Sequence, residues 1–347
     1  MPRIRWLLVI ALLLGALLFL LLYRPSNTGI PTVIVYSSVD SEFDLPIFEE
    51  FTRETGIRIV YRFDGEETKT TGLAYRLEQM KGLPDGDVFW NSEESLTQSL
   101  TSKGVLQPYI SPNAQGIPPE FKDAVGMWTG FGCRARVVIF NTNRVKPEDT
   151  PRLLEDFANP RWKGRFAVAK PIYGTTHSHL AAAVLEMGEE KAFALFRAWR
   201  ANGVIIAESN SDVAKRVADG FVDVGLTDSD DAYSALDRKQ PVNFIVLDQS
   251  TDWPGVFLIP NTVSMLKNCP HPVEARAFID YLLRPETEKF LAENGAHQIP
   301  VREVGAKLSP PFDHLKLKPA RVNVTRLGEK VLPMGERILQ ILSGEEK

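Results

Sequence analysis

Cysteine is scarce in this 347-residue chain: Cys133 and Cys269 are the only two. With no CxxC spacing the sequence offers no zinc ligand set, and two distant cysteines make no disulfide framework, so two buried thiols are expected. Histidine is nearly as rare, five in all. His177 and His179 stand two apart on a helical pattern, so they do not share a face and are poor joint metal ligands. Internal repeats and low-complexity tracts are missing. A basic surplus is missing too: 40 Lys and Arg face 44 Asp and Glu, and beyond Arg24 the basic count drops to 37, a formal net charge of −7. A chain this acidic lacks the electrostatic footprint of a nucleic-acid binder, and none is expected as a partner.

What is present begins with an apolar run from Trp6 to Tyr23, interrupted only by Gly15 and preceded by Arg3 and Arg5. At about 1.5 Å per residue it nearly crosses a hydrocarbon layer of roughly 30 Å. It exceeds a usual signal h-region, and "Leu22-Tyr23-Arg24-Pro25-Ser26" has no small-x-small cleavage signal. Residues 1–24 therefore read as a signal or membrane anchor, with residues 6–23 in the cytoplasmic membrane and the remainder outside it, periplasmic or extracytoplasmic. Residues 25–31 read as a linker.

From there the chain alternates strand and helix patterns. Val33, Ile34 and Val35 form a buried-strand run. Phe43, Ile47, Phe48 and Phe51 recur at one-face helical spacing, and Gly56 stops that helix before a second strand, Ile57 to Phe63. This is a βαβ unit, in which ligands collect beyond the carboxyl end of the first strand, where Ser37 and Ser38 fall. "Gly86-Asp87-Val88-Phe89-Trp90-Asn91" is another strand with a polar end, followed by a helix start at Glu93. "Arg136-Val137-Val138-Ile139-Phe140-Asn141" is a strong strand leading into a second α/β series, and "Val256-Phe257-Leu258-Ile259-Pro260" reads as the return crossing. The fold class that follows is α/β, two lobes joined by two strand crossings. The first lobe is 32–136 with a return segment at about 256–300, the second is 137–255, and 301–347 is an extension packing on one lobe. Such a hinge closes a cleft over a small ligand.

Three carboxylates, Asp228, Asp230 and Asp231, follow an apolar strand; their hard oxygens suit a hard cation or a ligand ammonium group. The same run is also what a solvated loop with a helix-capping Asp looks like. "Tyr173-Gly174-Thr175-Thr176" precedes an alanine-rich helix, so amide donors and hydroxyls there form either an anion site or an ordinary cap. Glu67, after the second strand, is a further candidate acid or part of a charged turn. The expected ligand-binding set is Ser37, Ser38, Glu67, Asn91 and Glu93 from the first lobe, with Tyr173, Thr175, Thr176, Asp228, Asp230 and Asp231 from the second. Asp228, Asp230, Asp231 and Glu67 are the metal candidates.

"Val35-Tyr36-Ser37-Ser38", "Phe51-Thr52-Arg53-Glu54-Thr55-Gly56-Ile57", "Gly86-Asp87-Val88-Phe89-Trp90-Asn91", the strand from Arg134 to Thr142 and "Ala275-Arg276-Ala277-Phe278-Ile279-Asp280-Tyr281-Leu282-Leu283" occur in this order. With them the chain resembles the extracellular solute-binding proteins of ABC importers, specifically the ferric-iron-type periplasmic binding proteins, over about residues 32–301. The resemblance implies a monomeric, non-enzymatic Venus-flytrap receptor that hands its cargo to an importer permease. That cargo is ferric iron or another hard metal, with a synergistic anion at the Thr175-Thr176 helix start in some members, and there is no resident cofactor. Well-known iron-binding members carry a Tyr-Tyr pair where this chain has Asp230-Asp231. A phosphonate, sugar phosphate or polyamine is the alternative cargo for the same fold. A ligand sensor is another reading, and a metal-dependent hydrolase a further one, although no nucleophile–base spacing supports it.

Overall fold

The computed structural model describes residues 29–39, 41–63, 71–249, 255–320 and 322–346. The apolar run Trp6–Tyr23 and the candidate acid Glu67 lie outside the described residues. Among the described residues no helix is long and apolar enough to cross a membrane.

Strand β1 (Thr32–Ser37) enters the core because its apolar run is covered on both faces, with Val33, Val35 and Tyr36 fully buried. Helix α1 (Ser41–Thr55) follows, laying Ile47, Phe48 and Phe51 inward, and Gly56 ends it at φ 71°, a backbone setting glycine adopts without strain. The chain continues through β2 (Arg58–Phe63), α2 (Thr71–Gln79), β3 (Val88–Asn91), α3 (Glu94–Ser102), β4 (Leu106–Gln107) and the long β5 (Thr129–Asn141). After β5 come β6 (Phe166–Ala169), α4 (Gly174–Met187), α5 (Glu189–Ala201), β7 (Ile205–Ala207), α6 (Asn210–Ala218), β8 (Val224–Asp228), α7 (Ser229–Asp237) and β9 (Val242–Val246). The return is β10 (Leu258–Leu266), then α8 (Pro272–Leu282), α9 (Pro285–Glu293) and a terminal α10 (Val324–Ser343).

β1 pairs in parallel with β2 and β3, and β10 lies antiparallel between β3 and β5. β5 belongs to two sheets. Its first part, Thr129–Ala135, pairs with β10; its second, Arg136–Asn141, pairs antiparallel with β8 and β9. β8 then pairs in parallel with β6, and β6 with β7. The two halves are therefore joined along β5, and the returning chain lies beside it, where the Arg136 amide donates to the Phe257 carbonyl at 3.0 Å. β10 begins two residues later than its apolar signal and runs on to Leu266, because Thr262 and Ser264 are buried with their hydroxyls bonded, Thr262 to Thr97 at 2.7 Å. Cys133 and Cys269 are free and buried.

The C-terminal extension departs from the expectation that it packs on one lobe. Helix α10 lies against α3 of the first half and against α4 and α5 of the second. Leu327, Val331, Ile338 and Ile341 are fully buried on its inner face. Two glycines let it approach this closely. A Cβ on Gly328 would stand 2.8 Å from the Gln98 side chain of α3, and one on Gly335 would press on the Pro171 carbonyl and stand 2.6 Å from His177 Nε2. An apolar face that fits both halves is buried only by touching both.

Ile338→Ala removes a fully buried branched side chain from α10. It is expected to lower unfolding stability by about 2–5 kcal/mol, read as a reduced urea midpoint at unchanged slope.

Candidate functional site

The strand ends of both halves meet at one cleft. Ser38 and Ser92, past the ends of β1 and β3, face Tyr173 and Thr175 at the start of α4, Asn210 at the start of α6, and Asp228, Asp230 and Asp231 at the β8–α7 junction. Arg134 of β5, Asn261 of β10 and Gln298 complete the wall. The enclosed cavity is about 90 Å³, space for about three water-sized groups at roughly 30 Å³ each.

Its second-half wall is built around Arg136, fully buried on β5. Nη1 donates to Asp228 Oδ1 at 2.6 Å, to Asn210 Oδ1 at 3.2 Å and to Thr175 Oγ1 at 3.3 Å, while Nη2 donates to Thr176 Oγ1 at 3.1 Å. Asp228 receives two more bonds on Oδ2, from Thr175 Oγ1 at 2.5 Å and Asn210 Nδ2 at 3.3 Å. The burial of both charges is tolerable because each is paired and hydrogen-bonded. One turn further on, Asp230 pairs with Arg134 at 3.5 Å, and Asp231 accepts a bond from Thr227 Oγ1 at 3.0 Å. Among the described residues these acids form a group able to hold a metal ion, one oxygen from each of Asp228, Asp230 and Asp231 lying within 4.8 Å of the others.

The expected ligand set divides. Ser38, Tyr173, Thr175, Asp228, Asp230 and Asp231 line the cavity. Ser37, Asn91, Glu93 and Thr176 do not: they brace its walls. Ser37 Oγ accepts the Val39 amide at 3.2 Å, and Asn91 accepts the Ser38 hydroxyl at 2.7 Å while donating to the Glu93 carbonyl at 2.6 Å. Thr176 turns its hydroxyl to Arg136 and Asn210. Glu93 caps α3, accepting the amides of Ser95 at 2.8 Å and Leu96 at 2.9 Å. Its Oε2 also accepts the Ser178 hydroxyl of α4 at 2.8 Å, a direct bond between the halves. A helix-opening carboxylate has its own helix's amides within reach, and that local demand claims it before any ligand does.

Sequence reasoning missed Arg134, Arg136, Asn210, Asn261 and Gln298. The available signal was "Cys133-Arg134-Ala135-Arg136-Val137", two guanidinium groups on an apolar strand, which must find buried partners. His177 and His179 do not line the cavity. His177 bonds the Val331 carbonyl of α10, and burial pushes its pKa down to about 4; His179 stacks on Phe257 at 5.3 Å, and burial pushes it well below the ordinary histidine value.

A cleft between two α/β halves, polar on both walls and threaded by β5 and the chain returning beside it, defines a ligand-capturing receptor. Residues 87–324 match the family model of bacterial extracellular solute-binding proteins, and the chain belongs to that family. Its work is the binding of a solute, without bond-making chemistry. The Fe(3+)-binding periplasmic protein of Serratia marcescens is 25% identical over 305 residues, 86% of this chain and 87% of the relative. Iron uptake protein A1 of Synechocystis is 27% identical over 275 residues, 77% and 75% of the two chains. The fold is that of iron-bound HitA from Pseudomonas aeruginosa, with a TM-score of 0.78 at 24% identity over 89% of this chain and 99% of that one.

Arg136→Met leaves Asp228 buried without its cation and is expected to cost about 3–5 kcal/mol of unfolding stability, with Arg136→Met/Asp228→Leu recovering part of it in urea titrations. Burial, reinforced by the neighbouring Glu93, pushes the Glu94 carboxyl up to about 8 from 4.5. The folded chain then holds a proton that the unfolded chain releases, so this contribution is full below about 4.5 and is lost as pH rises through about 8. Glu94→Gln is accordingly expected to lose less stability than the parent between pH 5 and pH 8.5, measured by urea midpoints.

Proposed function

We propose that this chain is the receptor of an ABC import system that captures ferric iron in its cleft and delivers it to a permease, held at the outer face of the cytoplasmic membrane by residues 6–23. The observation that carries the reading is the meeting of three carboxylate oxygens, from Asp228, Asp230 and Asp231, in a cavity of about 90 Å³. Hard oxygen donors suit a small, highly charged cation. The volume suits an ion with one or two small co-ligands and is too tight for a phosphorylated sugar, the cargo that a fold neighbour, AfuA from Actinobacillus pleuropneumoniae, is described with. Two relatives at 24–25% identity, from Serratia marcescens and Neisseria meningitidis, carry names that specify ferric iron.

Carboxylates here replace the phenolates of the well-known members, so the ion is gripped by Asp230 and Asp231 from the first turn of α7. Asp230 also reaches Arg134, whose guanidinium donates to the Ser92 carbonyl of the opposite wall. Neutralising Asp230 with a cation therefore changes contacts on both halves, which is what a closing ligand must do, since equal affinity for open and closed forms shifts nothing.

Asp230→Ala/Asp231→Ala is expected to weaken ferric binding by about a hundredfold or more, about 2.7 kcal/mol, with little change in thermal unfolding of the apo-protein. Competition against a ferric chelator with elemental analysis measures this, and iron affinity equal to the parent's would remove these two residues from the site.

A further inference from the structure

We propose that Asp228 is a built-in companion anion, so that the site takes its metal without carbonate, phosphate or a carboxylic acid from solution. This rests on the ferric reading of the cleft and concerns what else that cargo needs. An exogenous anion beside the metal would seek the start of α4, where Thr175 and Thr176 offer hydroxyls and Arg136 stands behind them. Those donors are already taken. The Asp228 carboxylate, 4% exposed, holds Arg136 Nη1 at 2.6 Å, Thr175 Oγ1 at 2.5 Å and Asn210 Nδ2 at 3.3 Å. One anionic group thus covers the guanidinium, hydroxyl and amide donors that would recognise a small oxyanion. Its outer side is also in place, with an oxygen within 4.8 Å of oxygens of Asp230 and Asp231, so it spans donor nest and metal position as a bridging anion would. A second anion in the same nest would meet this fixed charge at close range and find no donor free of it.

Asp228→Asn tests the idea, because it keeps the shape and removes the charge. The full chain is loaded with ferric iron and dialysed exhaustively against buffer free of coordinating anions, or against the same buffer with millimolar bicarbonate, phosphate or citrate. Iron per chain and affinity by chelator competition are read for each. The expected result is parent affinity that changes by less than about twofold across the four buffers, against Asp228→Asn that loses iron in the anion-free buffer and regains about tenfold or more in affinity with an added anion. A parent that holds iron only when an anion is supplied overturns the proposal while leaving the ferric reading intact. So does an Asp228→Asn protein that keeps parent affinity without any anion. Should the parent hold no iron in any buffer, the ferric reading itself fails and takes this proposal with it. Thermal unfolding of the variant checks that it folds; if it does not, the four-buffer comparison on the parent decides alone.

Discussion

A guanidinium buried in the middle of a strand is the constraint around which this molecule is organised. Arg136 sits at the residue where β5 stops pairing with β10 and starts pairing with β8, and its own amide bonds the returning chain at Phe257. A charge there, fully enclosed, demands a carboxylate, and the last residue of β8 supplies it. Satisfying the remaining donors then draws in the starts of α4 and α6 through Thr175, Thr176 and Asn210. Four segments distant in sequence are thereby fixed to one point, and the cleft wall is the surface they leave. Ion pairs of this kind contribute less to net stability than to the uniqueness of the arrangement.

The first half closes the same cleft by a different means. Its polar groups are largely neutral: Ser38, Asn91, Ser92 and Thr97 bond one another beyond the ends of β1 and β3, and Glu93 spends its charge on the start of α3 and on Ser178 of the second half. One wall is therefore rigid and uncharged at its surface, while the other carries the acids and the arginines. Cation capture belongs to the charged wall, and the neutral wall sets the size of the opening.

Much of this fold was legible in the sequence because the signals were local. β1, β3, β5 and β6 are apolar runs ending in polar residues, α1 and α8 show one-face periodicity, and Asp228 to Asp231 stand where a strand gives way to a helix. The unread parts depend on long-range pairing. The partners of Arg136 lie 39, 74 and 92 residues away, so nothing near it in the chain announces its role. β10 continues through buried Thr262 and Ser264 because their hydroxyls find partners on the first half, a circumstance invisible to hydropathy. Glu93 looked like an exposed acid at a helix start; its burial follows from the arrival of α4 across the cleft.

The seat of α10 bears on how such a receptor moves. With Gly328 pressed to α3 and Gly335 pressed to the turn before α4, the helix works as a splint across the joint, and halves swinging apart as rigid plates would tear one glycine contact open to solvent. Sliding keeps both contacts, and packed helices slide by only an ångström or two. The gape of this molecule is thus capped from behind: its travel is short, its empty and filled outlines are nearly alike, and a permease that tells them apart must read a small shift of registration and not a yawning jaw.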